Sequence, residues 1–102
     1  MNTSFNNPTY NLNHLKQALN NVNKLRMTRV ARQGAVELGM DDDDVVNVIQ
    51  AIKSTDFYKT MPSEKMPQLA NFDVYRTWWE GVEIYLKFQD ISGYLVVSFK
   101  RR

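Results

Sequence analysis

Hydrophobic positions change period about halfway along the chain, from helical spacing to strict alternation. Leu12, Leu15, Leu19 and Val22 form the first helical stripe, with Asn11 placed as an N-cap. A second helix is predicted over about Thr28 to Leu38, its apolar side made by Val30, Ala31, Ala35 and Leu38 and its end marked by Gly39. A third is predicted over about Asp41 to Ile52, with Val45, Val48, Ile49 and Ile52 in line. It opens on Asp41-Asp42-Asp43-Asp44, which sets negative charge at the positive end of the helix dipole.

Beyond residue 73 the pattern has period two. Val82, Ile84, Leu86 and Phe88 alternate with Glu83, Tyr85, Lys87 and Gln89. Leu95, Val97 and Phe99 then alternate with Tyr94, Val96, Ser98 and Lys100. With the run before Glu80-Gly81, these predict a three-stranded antiparallel meander from Asp73 to Lys100. A slip of one residue would turn the apolar set outward, so the buried face fixes the pairing parity. A turn at Glu80-Gly81 pairs Trp79 with Val82, Thr77 with Ile84, and Arg76 with Tyr85. A turn around Ile91-Ser92, with Asp90 opposite Gly93, pairs Leu86 with Val97, Ile84 with Phe99, Tyr85 with Ser98, and Glu83 with Lys100. The expected row is therefore Arg76, Tyr85 and Ser98, with Lys100 diagonal to Tyr85; a wider loop of the same parity keeps the faces and shifts the row.

Phe57 to Met61 is a short β-prone run, and residues 62–72, with Pro62 and Pro67, read as a loop. Residues 1–10 are Asn-rich and aperiodic and are expected to be loosely ordered or to add a flanking arm. Helices followed by strands predict an α+β fold with the N-terminal helices packed on one sheet face.

At 102 residues the chain suits one domain with a single modest core. The absence of cysteine excludes disulfides and thiolate metal sites, and His14 cannot build a metal site by itself. The Asp41–Asp44 run lacks the glycine and glutamate of a calcium loop, so a helix start is the better account, and no metal or cofactor is expected. No apolar run approaches the ~20 residues of a membrane helix. Residues Met1 to Phe5 lack the charged and apolar regions of a signal peptide, so the expected location is cytoplasmic. A net charge of +2 is far from a polybasic nucleic-acid coat. Its distribution matters more, because Lys24, Arg26, Arg29 and Arg32 form one basic cluster and Lys100, Arg101 and Arg102 another.

The polar face of the meander gathers Arg76, Tyr85, Ser98 and Lys100. Cleaving a phosphodiester without histidine requires another proton carrier and positive charge for the pentavalent phosphate. Tyr85 offers the first, while Arg76 and Lys100 offer the second, the arginine with bidentate geometry. Trp78 shares the face of Arg76 and presents a surface on which an RNA base can stack, whereas Trp79 points to the core. Alternation over so short a run leaves the direction of Lys59 open. Two function classes remain compatible with these residues: a ribonuclease, and a non-catalytic RNA-binding or protein-interaction module whose polar sheet face docks a partner.

Four blocks in order resemble the MqsR family of toxins: Asp56-Phe57-Tyr58-Lys59-Thr60-Met61, Asp73-Val74-Tyr75-Arg76, Val82-Glu83-Ile84-Tyr85-Leu86-Lys87, and Leu95-Val96-Val97-Ser98-Phe99-Lys100. The similarity extends upstream through Thr28-Arg29, Glu37-Leu38-Gly39 and Asn47-Val48-Ile49. The resemblance implies a RelE-like α+β fold and a ribosome-independent mRNA endoribonuclease that needs no metal, cuts at short GC-containing sites and halts translation. It implies a type II toxin–antitoxin system in which an MqsA-like antitoxin, carrying zinc and a DNA-binding domain, neutralises the toxin. No direct DNA binding is expected from this chain alone. Carried over by position, the family's catalytic lysine after Phe-Tyr falls on Lys59, its tyrosine on Tyr85, its C-terminal lysine on Lys100, and the arginine of its Val-Tyr-Arg block on Arg76. Trp78, Ser98 and Lys87 are secondary candidates for RNA contact. Where the family has glutamine before Asp-Val-Tyr-Arg, this chain has Phe72.

Overall fold

Helices α1 (Leu12–Ala18), α2 (Arg29–Leu38) and α3 (Asp42–Ala51) lead through a short 3₁₀ turn at Ser54–Asp56 into strands β1 (Phe57–Met61), β2 (Phe72–Trp79), β3 (Val82–Ile91) and β4 (Tyr94–Arg101). The structure is a computed structural model and describes residues 7–62, 71–91 and 94–101. The loop expected over 62–72 and the Asn-rich start therefore fall largely outside the described residues.

Side chains at the helix starts supply the acceptors that the first turns lack. Asn11 accepts from the backbone N–H of His14, and Thr28 from that of Ala31. Asp41 and Asp44 cap each other reciprocally, the Asp44 N–H donating to Asp41 at 2.8 Å and the Asp41 N–H to Asp44 at 3.0 Å. The acidic run is thus consumed in starting α3. At the end of α2, Gly39 adopts φ 74° and lets the Met40 N–H reach the Ala35 carbonyl at 2.8 Å.

Two expected core positions lie elsewhere. Val22 falls beyond α1 and is 40% exposed. The side chain of Asn21 accepts from the N–H groups of Asn23 and Lys24, and this local turn replaces helix continuation. Val30 is 69% exposed, because α2 buries the narrow line Ala31–Ala35 and Val30 sits a hundred degrees around from it. The two alanines let α2 lie close against β4.

The sheet has four strands in the order β1-β2-β3-β4, all antiparallel, so the Phe57–Met61 run adds an edge strand to the expected meander. The β2–β3 register is the expected one, with Arg76 opposite Tyr85 and Trp79 opposite Val82. Glu80 and Gly81 both take positive φ, 49° and 77°, as the twist of a two-residue hairpin demands. The β3–β4 register is shifted by two residues from the expected one: Tyr85 pairs with Lys100, Leu86 with Phe99 and Lys87 with Ser98. The ladder runs on to Ile91 opposite Tyr94, one residue further along each strand than a turn at Ile91-Ser92 allows. Parity is unchanged, as the buried face requires.

Helices cover one face. Leu15, Leu19, Ala31, Ala35, Val45, Ile49 and Ile52 pack with Tyr75, Ile84, Leu86 and Phe88, and Trp79 is partly buried against the same cluster. Phe57, Tyr75 and Phe88 form an edge-to-face run across three strands, with centroids 5.5 and 5.8 Å apart. At the far end the buried Asp73 carboxylate accepts from the N–H groups of Thr9 and Tyr10 at 2.9 and 2.8 Å and from the Thr60 hydroxyl. The Tyr10 hydroxyl donates to the Asn71 carbonyl and accepts from the Asp90 N–H. Thr9 and Tyr10 are therefore pinned to the sheet. Among the described residues, no helix is long and apolar enough to cross a membrane.

Candidate active site

The face of the sheet turned away from the helices carries the candidate site. On β2 the side chains of Val74, Arg76 and Trp78 alternate with Tyr75, Thr77 and Trp79, of which Tyr75 is buried in the core and the other two are half-buried. Arg76 and Trp78 are exposed, Trp78 at 64%. On β3 the same face carries Glu83, Tyr85 and Lys87. Arg76, Tyr85 and Lys100 share one cross-strand row, in which directly opposed residues lie ~5 Å apart. Ser98 belongs to the neighbouring row with Lys87 and Val74, diagonal to Tyr85. This reverses the expected places of Ser98 and Lys100, and it brings the lysine directly opposite the tyrosine. The expected Glu83–Lys100 pairing is absent from the register for the same reason.

A β-bulge joins β1 to this row. Phe57 pairs with Tyr75 and Lys59 with Val74, so Tyr58 is an extra residue with no partner on β2. Phe57 and Thr60 both face the core, three positions apart, which strict alternation forbids and the bulge permits. The extra residue sets Tyr58 and Lys59 on the same side as Arg76. The Tyr58 ring stacks on Tyr85, with centroids 5.8 Å apart and planes 12° from parallel. Two cations rest on Tyr58, the Arg76 guanidinium and the Lys59 ammonium, each 5.2 Å from its centroid. One aromatic ring thus contacts both cations and the second phenol, and each cation is attracted to its π-face.

Three of the four principal candidates, Lys59, Arg76 and Tyr85, are brought together by side-chain contacts through Tyr58, and Lys100 joins them by register. Trp78 lies one alternation further toward the hairpin, opposite Glu83. Lys87 lies toward the other end, its ammonium 5.9 Å from the Phe72 ring centroid. Phe72, the departure from the family pattern, opens β2 opposite Met61. His14 is exposed on α1, where its N–H donates to the Asn11 cap. Of the basic cluster, Arg32 pairs with Asp42 at 3.1 Å on the helix layer.

Tyr58 was absent from the expected set. Its signal was the Phe57-Tyr58-Lys59-Thr60 run itself, in which an inward Thr60 requires one residue out of step. Tyr75, by contrast, faces the core: burial first, and then the Asp73 carboxylate, push its phenol up to about 12, so it stays neutral and takes no part on the open face. Beside Arg76 the surface dips into a hollow of about 300 Å³ between the 3₁₀ turn and the β2–β3 hairpin.

A bulged strand, two stacked phenols and clustered cations on an open sheet face can bind a phosphodiester, bear its extra charge and move a proton. The family model described as "Motility quorum-sensing regulator, toxin of MqsA" matches residues 7–101. The mRNA interferase toxin MqsR of Escherichia coli (strain K12) is 38% identical over 95 residues, which covers 93% of this chain and 95% of that protein.

Proposed function

The chain belongs to the MqsR toxin family, and on that premise we propose that it is an endoribonuclease that cuts mRNA and so inhibits translation. The observation that carries this reading is the row of Arg76, Tyr85 and Lys100 with Lys59 delivered beside it by the bulge. It supports a metal-independent cleavage. The 2′-oxygen attacks the adjacent phosphorus, the bond from phosphorus to the 5′-oxygen breaks, and the products are a 2′,3′-cyclic phosphate and a free 5′-hydroxyl. One proton leaves the 2′-hydroxyl and one arrives at the 5′-oxygen, so a relay centred on Tyr85 ends as it began. Lys59, Arg76 and Lys100 hold the scissile phosphate and take up the charge of the pentavalent state. Lys87, Ser98 and Trp78 extend the contact along the strand.

The family's description and the relative's name support a toxin of MqsA and an mRNA interferase; the finer parts of the reading rest on the resemblance of the sequence blocks. The protein acts in the cytoplasm as the toxin of a type II pair, as one catalytic domain, independently of the ribosome and at short GC-containing sites. Its partner is an MqsA-like antitoxin that carries zinc and binds DNA.

The test is incubation of antitoxin-free protein with a long RNA in EDTA, followed by mapping of new 5′-hydroxyl ends. Discrete cuts are expected, slowed ~10²-fold or more by Tyr85→Phe, a loss typical of a displaced proton carrier. Stoichiometric RNA binding by folded protein with no new ends would instead establish a non-catalytic binding module.

A further inference from the structure

We propose that Tyr58 is a positioning residue for the cleavage, and that its ring, not its hydroxyl, sets the Tyr85 phenol and the Arg76 guanidinium for the reacting phosphate; this role rests on the ribonuclease reading. Strict alternation would put Tyr58 on the same face as the buried Thr60. The bulge turns it out instead, to 48% exposure, and leaves it without a partner on β2. An unpaired residue interrupts the ladder, and a half-exposed aromatic ring forgoes much of the burial that the core offers. Tyr58 also lies outside the apolar cluster beneath the sheet, so core packing does not offset either cost. Re-aiming a side chain is what a bulge accomplishes.

It aims this one at the candidate row. The Tyr58 ring lies 5.8 Å from the Tyr85 ring and 12° from parallel to it, and 5.2 Å from the Arg76 guanidinium. Arg76 and Tyr85 are themselves direct partners across β2 and β3. The ring is therefore the third corner of a triangle whose other two corners are set by register. Register fixes the backbone and the Cβ directions and leaves the torsions beyond them free. Arg76 is exposed, and a long exposed side chain samples many rotamers unless something holds it. A flat stack restricts the Tyr85 ring, and the π-face draws the guanidinium to one place. The Lys59 ammonium, also 5.2 Å from the centroid, gains the same attraction.

The two phenols then have different tasks. Tyr85 stands between Arg76 and Lys100 in the cross-strand row and carries the proton. Tyr58 acts through its ring contacts, which the hydroxyl does not make. Losing that ring removes no positive charge, so the pull on the RNA backbone persists while the alignment of the reacting groups is lost. A positioning role therefore falls on the limiting rate and spares the binding step.

Single-turnover cleavage of one RNA by excess protein separates the limiting rate from the half-saturating concentration. It is measured for the wild-type, Tyr58→Leu and Tyr58→Phe proteins, with the melting temperature of each. Tyr58→Leu should lower the limiting rate ~10- to 100-fold, with little change in half-saturation or melting temperature. Tyr58→Phe keeps the stack and the π-face, and should restore most of that rate. A Tyr58→Leu protein that cuts as fast as the wild type overturns the role. So does a Tyr58→Phe protein as slow as Tyr58→Leu, which would make the hydroxyl a second proton carrier. A raised half-saturation with an unchanged limiting rate would make Tyr58 a base contact, and a loss of rate that follows a loss of fold would make it structural; either overturns positioning. All four outcomes leave the ribonuclease standing, whereas a folded wild-type protein that cuts nothing overturns that reading and the role of Tyr58 with it.

Discussion

Among the individual side chains, Tyr58, Tyr75 and Tyr85 show how position assigns a role to one residue type. Tyr85 and Tyr58 stack on the open face beside cations, whereas Tyr75, one residue before Arg76, is 1% exposed on the other face. Removal from water, reinforced by the neighbouring Asp73 carboxylate, raises the Tyr75 phenol from 10.0 to about 12. Tyr10, which bridges Asn71 and Asp90, is raised as well, chiefly by burial. The sign for stability follows. Below pH 10 the folded and unfolded chains both keep the Tyr75 proton; between 10 and 12 only the folded chain does, so unfolding releases a proton and stability falls as pH rises. The full effect of Tyr75 is about 2–3 kcal/mol, at ~1.4 kcal/mol per unit. Urea unfolding of wild-type and Tyr75→Phe proteins across this window should show the wild type losing stability relative to the variant as pH increases, because the variant lacks this loss. Parallel curves would mean that the Tyr75 proton is not linked to folding.

The strands show which features of an element are written locally. Parity was legible because Val82, Ile84, Leu86 and Phe88 must all face inward, and one slip would expose every one of them. Register across β3–β4 was not, since shifts by two residues keep the same face buried and only the length of the turn decides between them. The bulge in β1 was hidden for a related reason: over five residues, an inward threonine does not announce itself as the break in alternation. The Asn11 cap was legible, because it acts on a backbone N–H only three residues away; Thr28 and Asp41, expected as the first residues of their helices, are caps of the same kind. The β2–β3 hairpin retains one local conflict. Its first turn residue, Glu80, has φ 49°, a region that costs most side chains and suits asparagine or glycine. Glu80→Asn should therefore stabilise the protein by about 0.5–1 kcal/mol. Thermal melts read this directly, and about 2–8 °C is expected for a chain of this size. An unchanged or lower melting temperature would mean that the glutamate side chain makes up for its backbone strain.

Across the molecule, the sheet divides two kinds of chemistry. One face is sealed by helices over an apolar core, and the other presents the cations, phenols and Trp78. A net charge of +2 is too small to draw RNA over the whole surface, so attraction has to be local. The basic set of the helix layer is the competing location. Arg29 and Arg32 belong to α2, which packs beneath β4, and Arg32 is engaged by Asp42, an exposed pair worth little by itself but aimed away from the open face. If Lys59, Arg76, Lys87 and Lys100 make the phosphate contacts, three or four counterions are released from a single strand. The logarithm of affinity should then fall against the logarithm of salt with a slope of about −2 to −3, at ~0.7 per contact. Binding of a short single-stranded RNA to the Tyr85→Phe protein, titrated at several salt concentrations, measures that slope without cleavage. Lys87→Ala should make it shallower by ~0.7, and Arg29→Ala should leave it unchanged. A slope of about −5 or steeper that falls with Arg29→Ala would carry the RNA around the edge of the sheet onto the helices, and would move the recognition surface from one face of the molecule to two.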